Sequence, residues 1–171
     1  MEEHIILVDE KDNPIGEEGK LSAHLAGKLH RCFSIFIFNS KGEMLLQKRA
    51  KGKYHSGGLW TNACCGHPRP GEETEKAAHR RLQEEMGFDC PLKEVFSFTY
   101  KADLDHGIRE HEFDHVFLGK FDGEVKINPE EAEDFKWVKP DALREDVKKN
   151  PDTYTYWFRI CFERAVDFAR F

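Results

Sequence analysis

Short apolar runs separated by turn-forming residues fill the first third of the chain and predict strands. HIILVD (4–9) predicts a first strand. FSIFIF (33–38) and EMLLQKR (43–49) lie on either side of NSKG, a combination that predicts a β-hairpin. TNACC (61–65) predicts another short strand. The segment between the first two strands, EEGKLSAHLAGKLH (17–30), is interrupted by glycines and is expected to be helical at most in part.

The same pattern returns in the second half of the chain. PLKEVFSFTYKADLD (91–105) predicts a strand, and GIREHEFDHVFLGKF (107–121) alternates so tightly that it predicts another. FDGEVKIN (121–128) predicts a turn followed by a short strand, and EAEDFKWV (131–138) predicts a final strand. Most neighbouring strands are therefore expected to be joined as hairpins.

Helical patterns occupy the gaps between these strands. A glycine-proline turn precedes a predicted helix that carries Arg80, Arg81, Glu84 and Glu85. Pro140 is expected to begin a helix over PDALREDVKK, and the apolar spacing of residues 153–171 predicts a closing amphipathic helix. Together these elements predict one mixed α/β domain over residues 1–171, with mostly antiparallel or mixed sheets flanked by helices.

Composition limits the classes of function that the chain can serve. The chain has 171 residues, of which 39% are hydrophobic and 34% are charged, a balance typical of a globular protein. Acidic residues outnumber basic ones 32 to 26, and the net charge of −6 disfavours nucleic-acid binding. No apolar run approaches the roughly 20 residues of a membrane span, and the start lacks a secretory signal. Five cysteines make complete disulfide pairing impossible, so a cytoplasmic protein is expected.

The stretch from Leu59 to Phe88 carries the most specific motif. Gly66 is followed after five residues by Glu72, and after seven more by an arginine, two adjacent glutamates and a glycine. This spacing resembles the Nudix box, with one departure: Arg81 stands where Nudix hydrolases keep a glutamate. That exchange, together with the preceding WTNACCGHP, resembles the type 1 isopentenyl-diphosphate isomerases, a branch of the Nudix superfamily. The resemblance extends from Lys20 to Trp157.

The helix of this motif places residues 81, 84 and 85 on one face. With arginine at 81, the pairs Arg81–Glu85 and Arg80–Glu84 are expected to neutralise that face in part. In the absence of the motif, the pairs would indicate only a solvated helix with weak ion pairs. The resemblance instead implies that Glu85, together with Cys65, holds a magnesium ion that also contacts the substrate diphosphate.

A polar, glycine-rich loop, KRAKGKYHSGGLW, follows the predicted hairpin and is too irregular for a helix or strand. It presents Arg49 and Lys53, and by itself it could be a solvated basic loop. In an acidic protein, bases gathered beside a candidate site suit an anionic small molecule. The resemblance implies that Lys20, Arg49, Lys53 and Arg81 bind the diphosphate of a small isoprenoid substrate.

A set of imidazoles and carboxylates suggests a second metal. Alternation within residues 107–121 places Glu110, Glu112 and Asp114 on one face, and His111, Phe113, His115 and Phe117 on the other. The acidic face could merely protect an edge strand. The resemblance implies a site for manganese, zinc or magnesium, since such a nitrogen and oxygen set suits these ions. Only five residues separate His24 from His30, a shorter gap than in other members of the family, so His24 departs from the family pattern. The implied ligands are His24, His30, His67, Glu110 and Glu112.

Catalysis in this family moves a carbon–carbon double bond by one position, and the resemblance implies Cys65, Glu112, Tyr100 and Trp157 as catalytic residues. Protonating an alkene requires an acid held in a dry pocket and a base on the opposite side. Trp157 could face the resulting carbocation or simply be core. The sequence leaves open whether the thiol or the carboxylate donates the proton. Strand alternation selects only one of Cys64 and Cys65 for the site, and the CGHP context favours Cys65.

The predicted function is interconversion of isopentenyl and dimethylallyl diphosphate, without flavin or nicotinamide. One alternative is a Nudix hydrolase, which the loss of a carboxylate at Arg81 disfavours. Another is a non-catalytic module stabilised by zinc, although structural zinc sites favour four cysteine-rich ligands. Cys65 could also act as a nucleophile that forms a covalent intermediate, but this role needs His67 as its base, and a His67 that binds metal cannot serve as one. A monomer is expected, and residues 17–30 are hypothesised to become ordered only when metal binds.

Overall fold

The computed structural model describes residues 2–170. Within them, nine strands alternate with four α-helices. The strands are β1 (His4–Val8), β2 (Pro14–Gly19), β3 (His30–Phe38), β4 (Met44–Arg49), β5 (Trp60–Thr61), β6 (Cys64–Gly66), β7 (Leu92–Asp103), β8 (Arg109–Lys120) and β9 (Ala132–Val138). The helices are α1 (Lys20–Ala26), α2 (Thr74–Met86), α3 (Pro140–Lys149) and α4 (Tyr156–Ala169).

Strand β3 is the centre of the mixed sheet. It pairs in parallel with β8 along its whole length, from His30 opposite Glu112 to Phe38 opposite Lys120. On its other side it pairs antiparallel with β1, β6 and β4 in turn. β7 extends the sheet beyond β8, and β9 extends it beyond β4, both in antiparallel pairings. The mixed α/β fold predicted from the sequence is therefore confirmed.

The two faces of β3 supply two hydrophobic cores, because successive side chains of a strand point to opposite faces. Phe33, Ile35 and Ile37 are fully buried in the cluster that contains the apolar side of α2. Phe36 and Phe38 lie in the cluster that contains α4. Burial on both faces explains why this strand is an almost continuous apolar run rather than an alternating one.

The main helices and the first hairpin occur where they were predicted, and several details differ. The segment 17–30 is helical only in part, as expected, since α1 occupies Lys20–Ala26. The predicted strand 61–65 is divided into β5 and β6, because the side-chain amide of Asn62 donates to the carbonyls of Ile35 and Cys64. Phe171, the last residue of the predicted closing helix, lies outside the described residues.

The short strand predicted within residues 121–128 is wrong. This segment instead follows the C-terminal end of α2, where the amides of Lys126 and Asn128 donate to the carbonyls of Met86 and Glu85 at 3.0 and 2.9 Å. The close approach requires Gly87, whose φ is +73° and whose added Cβ would lie 2.4 Å from the Lys126 carbonyl oxygen. Backbone groups of the segment thus find partners on a helix end rather than in the sheet.

Among residues 2–170, no helix has both the length and the apolar character that crossing a membrane requires.

The core beneath α4 predicts a specific stability effect. Phe36 is fully buried against Phe158, with ring centroids 6.2 Å apart. Replacing it with alanine should lower the free energy of unfolding by about 3–5 kcal/mol, because the change removes buried apolar surface and leaves a cavity. Ile160→Ala, at a half-exposed position on the outer side of the same helix, should change it by no more than about 0.5 kcal/mol. Urea unfolding followed by circular dichroism measures both, and equal losses would contradict this description of the core.

Candidate active site

The candidate site lies at the start of β3, where the register of three strands brings its residues together. His30 is opposite Glu112 in the parallel pairing with β8, and Glu112 is in turn opposite Tyr100 on β7. On the other edge of β3, Ser34 is opposite Cys65 of β6. The site is therefore built on the sheet itself, and the loops and α1 add to it.

Glu112 is the carboxylate at the centre of the site and has three hydrogen-bond partners, His30, His67 and Tyr100. Its Oε2 atom lies 3.1 Å from His30 Nε2 and 3.0 Å from His67 Nε2, while Oε1 accepts the hydroxyl proton of Tyr100. Burial by itself would raise the pKa of Glu112, but the contacts with the two imidazoles hold that pKa well below its usual range. Glu112 is therefore held as a carboxylate. Burial and the charge of Glu112 also raise the pKa of Tyr100, which keeps its hydroxyl proton.

Glu110, two residues earlier on the same face, is in a different environment. Its Oε1 atom lies 3.0 Å from His24 Nε2 and 3.1 Å from His55 Nε2. Its Oε2 atom is buried and has no hydrogen-bond partner among residues 2–170. Burial, followed by the charge of Glu112, raises the pKa of Glu110 well above its usual range. An unpartnered carboxylate oxygen in such a position is suited to a cation.

These residues fit a divalent metal. One donor atom from each of His24, His30, His67 and Glu112 lies within 4.8 Å of the others, and all four residues are buried. Burial lowers the pKa of His24 to about 4 and that of His67 to about 3, so both rings are neutral, as metal ligands must be. Glu110 belongs to an adjacent group with His24 and His55.

Helix α1 explains how His24 reaches the site despite its short separation from His30. Gly27 ends the helix in the left-handed conformation, with a φ of +68°. The chain then returns directly into β3. His24 Nδ1 contacts the Lys20 carbonyl at 2.6 Å and His30 Nδ1 contacts the Lys28 carbonyl at 2.8 Å. Both rings thus direct Nε2 towards the carboxylates, which fits the predicted roles of the two histidines.

Cys65 faces the site from the opposite edge of β3. Its sulfur lies 3.6 Å from the Ser34 hydroxyl, which donates to Asp114 at 2.7 Å. Burial and the nearby Asp114 raise the pKa of the Cys65 thiol to about 12, so the sulfur holds its proton at neutral pH. Cys64 is fully buried in the core beneath α2, as strand alternation predicts. The thiol and Glu112 line the same cavity.

Four basic side chains line this cavity as well: Lys20, Arg49, Lys53 and Arg81. Burial, together with the charges of Lys53 and Arg81, lowers the pKa of Lys20, although Glu3 works in the opposite direction. The four cations predicted to bind diphosphate therefore lie around one cavity, which Glu85 and Cys65 also line. Such a group of cations is suited to a phosphate chain.

The charged face of α2 contains both predicted pairs. Arg81 contacts Glu85 at 2.5 Å, and Arg80 contacts Glu84 at 3.5 Å. Two further contacts were not expected: Arg81 also contacts Glu84, at 2.6 Å, and Arg80 forms a two-pronged contact with Glu72, at 2.8 and 2.9 Å. The acid of the turn before the helix thus fixes the orientation of Arg80.

Glu131 has a part in the site that the sequence did not indicate. It pairs with Lys53 and lies 3.2 Å from Arg81, so it joins two of the four cations. Glu131 lies at the end of the loop before β9, within the acidic sequence EEAED (130–134), and nothing in the local sequence pattern distinguishes it from the neighbouring acids.

Tyr54 and His55 were also missed. Tyr54 contacts His24 at 3.4 Å through its hydroxyl, and His55 contacts Glu110. Both lie in the glycine-rich loop, where irregular backbone gives no periodicity from which burial could be inferred. Trp157, for which the sequence left open a place in the core or beside the substrate, is buried and also lines the cavity, with its ring 5.4 Å from the Arg49 guanidinium.

Comparison with known proteins relates the chain to one domain family and to proteins that share one name. Residues 28–158 match the NUDIX domain. The chain is 55% identical to "Isopentenyl-diphosphate Delta-isomerase 2" of Aromatoleum aromaticum, over 97% of this chain and 88% of that protein. It is 60% identical to the protein of the same name from Photorhabdus laumondii, over 93% and 90% of the two chains.

Solved structures agree on the fold. A protein of Deinococcus radiodurans has a TM-score of 0.73 at 21% identity, and the match covers 86% of this chain and 90% of that one. A MutT NUDIX hydrolase of Burkholderia pseudomallei has a TM-score of 0.63 at 23% identity, over 79% and 96% of the two chains. At these identities the likeness concerns the fold alone.

The position of His24 on a short helix leads to a prediction about order. Metal binding should slow hydrogen exchange of the α1 amides, because a helix of seven residues is marginal by itself and one of its side chains reaches the cluster. Hydrogen–deuterium exchange with mass spectrometry, with added Zn²⁺ or with a chelator, measures this. Residues of α3 serve as the internal control and should not change. Equal protection of residues 17–30 under both conditions would contradict the prediction.

Proposed function

The chain belongs to the isopentenyl-diphosphate Delta-isomerases within the NUDIX family, and we infer from this that it interconverts isopentenyl and dimethylallyl diphosphate. One observation of the geometry supports the inference most strongly. A protonated thiol, Cys65, and an ionised carboxylate, Glu112, line one cavity together with four basic side chains. This arrangement combines proton-transfer groups with a place for a diphosphate.

The basic residues would hold the substrate by its diphosphate. We propose that Lys20, Arg49, Lys53 and Arg81 contact the phosphate oxygens through charge-assisted hydrogen bonds. Glu85 with Cys65 would hold magnesium, which neutralises diphosphate charge when bound; at Cys65 the main-chain carbonyl oxygen suits this ion, because a protonated thiol is a poor ligand for magnesium. The side chain of Glu85 is already oriented by Gln47, whose amide donates to it at 2.9 Å.

We propose that manganese or zinc is held as a second divalent metal by His24, His30, His67 and Glu112, which form one buried group, and that Glu110 adds its Oε2 atom to this set. When bound, this metal would withdraw negative charge from Glu112. The imidazoles and Tyr100 fix the orientation of the Glu112 carboxylate. Burial of the whole group excludes water from the place where a carbocation would form.

The proposed reaction needs one proton added and one removed. Adding a proton to the terminal carbon of isopentenyl diphosphate uses the π electrons and leaves a tertiary cation. Loss of a proton from the carbon on the diphosphate side of that cation forms the new double bond. We propose that Cys65 and Glu112 act on the two sides of the alkene. One of them donates a proton to the terminal carbon and the other accepts the proton that leaves, and the two roles are exchanged when the reaction runs in reverse. Tyr100, which donates a hydrogen bond to Glu112, would assist proton transfer at this carboxylate. The Trp157 ring could stabilise the cation by about 2 kcal/mol once water is excluded.

Hydrolysis of a diphosphate is the less favoured function. Arg81 occupies the position of a Nudix carboxylate, and its guanidinium contacts Glu84, Glu85 and Glu131. That face therefore has one carboxylate fewer than in a Nudix hydrolase, and Glu84 is paired with a cation, which leaves a smaller set of acids for the metals of hydrolysis. A monomer and a cytoplasmic location remain predictions of the sequence.

Isotope incorporation tests the proton shift. Purified protein with isopentenyl diphosphate, Mg²⁺ and deuterated water should yield dimethylallyl diphosphate that carries deuterium, detected by mass spectrometry. Cys65→Ala and Glu112→Gln should each lower the rate by at least about 10²-fold, the usual contribution of a positioned acid or base.

Product analysis of the same reaction separates the alternatives. Ser22→Ala, on the exposed side of α1, should retain full activity and serves as the control. Release of phosphate or pyrophosphate without rearranged product would move the assignment to a hydrolase. The absence of any reaction in a metal-loaded protein would favour a binding module.

Lys53 tests the diphosphate site. Lys53→Met keeps the length of the side chain and removes its charge, and it should lower kcat/KM by about 10- to 100-fold, which corresponds to the loss of one charged hydrogen bond. Lys51→Met, two residues earlier on the exposed part of the same loop, should change kcat/KM by less than twofold. Steady-state assays measure both. Similar values for the two variants would exclude a direct contact between Lys53 and the substrate.

A further inference from the structure

His55 is a buried histidine that neither the metal set nor the proton shift uses. It lies in the loop between β4 and β5 and is only 4% exposed. Its Nε2 atom is 3.1 Å from Glu110 Oε1. A buried imidazole that contacts a candidate metal ligand calls for a structural reason.

The two oxygens of Glu110 have different surroundings. Oε1 contacts both His24 and His55, at 3.0 and 3.1 Å, whereas Oε2 has no hydrogen-bond partner among residues 2–170 and lies 3.9 Å from His30 Nε2. If the Nε2 atom of His24 turns to a metal, its contact with Oε1 is lost, and His55 is then the remaining imidazole at that oxygen. His55 would thus fix Oε1 while Oε2 remains directed to the metal.

The contact made by the other ring nitrogen of His55, Nδ1, indicates which of the two nitrogens carries the proton. Nδ1 lies 3.1 Å from the Ser56 hydroxyl. This hydroxyl can donate to Nδ1, which places the ring proton on Nε2, facing Glu110. A chain of donors therefore runs from Ser56 through His55 to the carboxylate. Metal ligands are commonly oriented by outer hydrogen bonds of this type.

The surrounding groups hold the ring of His55 in place. Tyr54 lies edge-on to it at 4.3 Å between ring centroids, and Trp157 does so at 5.8 Å. The His55 carbonyl accepts a hydrogen bond from Arg49 at 3.1 Å. The next residue, Ser56, has a φ of +52°, a conformation that is rare for residues other than glycine, and its amide donates to Asp105 at 3.0 Å. The local backbone is thus constrained around this histidine.

We propose that His55 is a positioning residue that orients Glu110 for the metal, through an Nε2–H donor fixed by Ser56. The proposal rests on the metal site of the proposed function and adds a residue to it. His55 also joins three parts of the site, since it contacts Glu110, Arg49 and Trp157. A change at His55 should therefore act first on metal affinity.

Metal affinity of purified variants tests this proposal directly. Metal-free wild type, His55→Ala, His55→Gln and His79→Ala would be titrated with Co²⁺ in competition with a chromophoric chelator, and the absorption of bound Co²⁺ would be recorded. His79 lies on α2 and pairs with Asp89, away from the cavity, so its variant is the matched histidine control. Urea unfolding of each metal-free variant accounts for differences in stability.

His55→Ala should bind Co²⁺ about 10- to 100-fold more weakly than wild type, the usual effect of removing an outer hydrogen bond to a ligand. His55→Gln, whose amide nitrogen can replace Nε2 as a donor, should recover most of the affinity. His79→Ala should match wild type. Restored affinity and restored Co²⁺ absorption in the glutamine variant would distinguish positioning from packing.

Other outcomes would overturn the proposal. Equal affinity of His55→Ala and wild type would remove His55 from the metal site while leaving the isomerase function intact. Equal weakening of the alanine and glutamine variants, in step with their loss of stability, would reduce His55 to a packing residue. Failure of wild type to bind Co²⁺ would overturn the metal site itself, and the deuterium assay would still decide the isomerase function separately.

Discussion

The burial of two neighbouring carboxylates is the constraint on which the site depends. Glu110 and Glu112 are almost inaccessible to water, and a buried charge is costly unless it is paired and hydrogen-bonded. Imidazoles meet this requirement for Glu112, while one oxygen of Glu110 has no hydrogen-bond partner within residues 2–170. The parallel pairing of β3 with β8 enforces the arrangement, because it sets His30 opposite Glu112. A bound cation would resolve the remaining imbalance, so the fold and the metal support each other.

Charge is distributed unevenly around the cavity. The protein has a net charge of −6, yet four basic side chains line one opening. Acids hold several of them in place: Glu3 pairs with Lys20, and Glu131 lies between Lys53 and Arg81. Such pairs keep long side chains convergent and lower the cost of gathering like charges. Arg81, at a position where Nudix hydrolases keep a glutamate, therefore makes this helix face less negative.

Much of this could be predicted from the sequence. Apolar periodicity located the hairpin and the main helices, and the resemblance to isomerases is confirmed by the relatives. Alternation on β8 correctly placed Glu110 and Glu112 on one face. Periodicity failed where backbone partners lie outside the sheet: residues 121–128 bond to the end of α2. It also gave no signal for His55, because burial in an irregular loop follows from tertiary contacts rather than from spacing. The roles of individual site residues remain predictions.

The contact between His30 and Glu112 joins residues 82 positions apart in the chain. Parallel pairings of this range form slowly, since a long loop must close before any of the contacts stabilise it. A partly folded chain that lacks the β3–β8 pairing has no cluster to offer a cation, even if its hairpin and helices are formed. Metal uptake should therefore report the last stages of folding. In a cell, such coupling would restrict metal loading to chains that have completed their sheet.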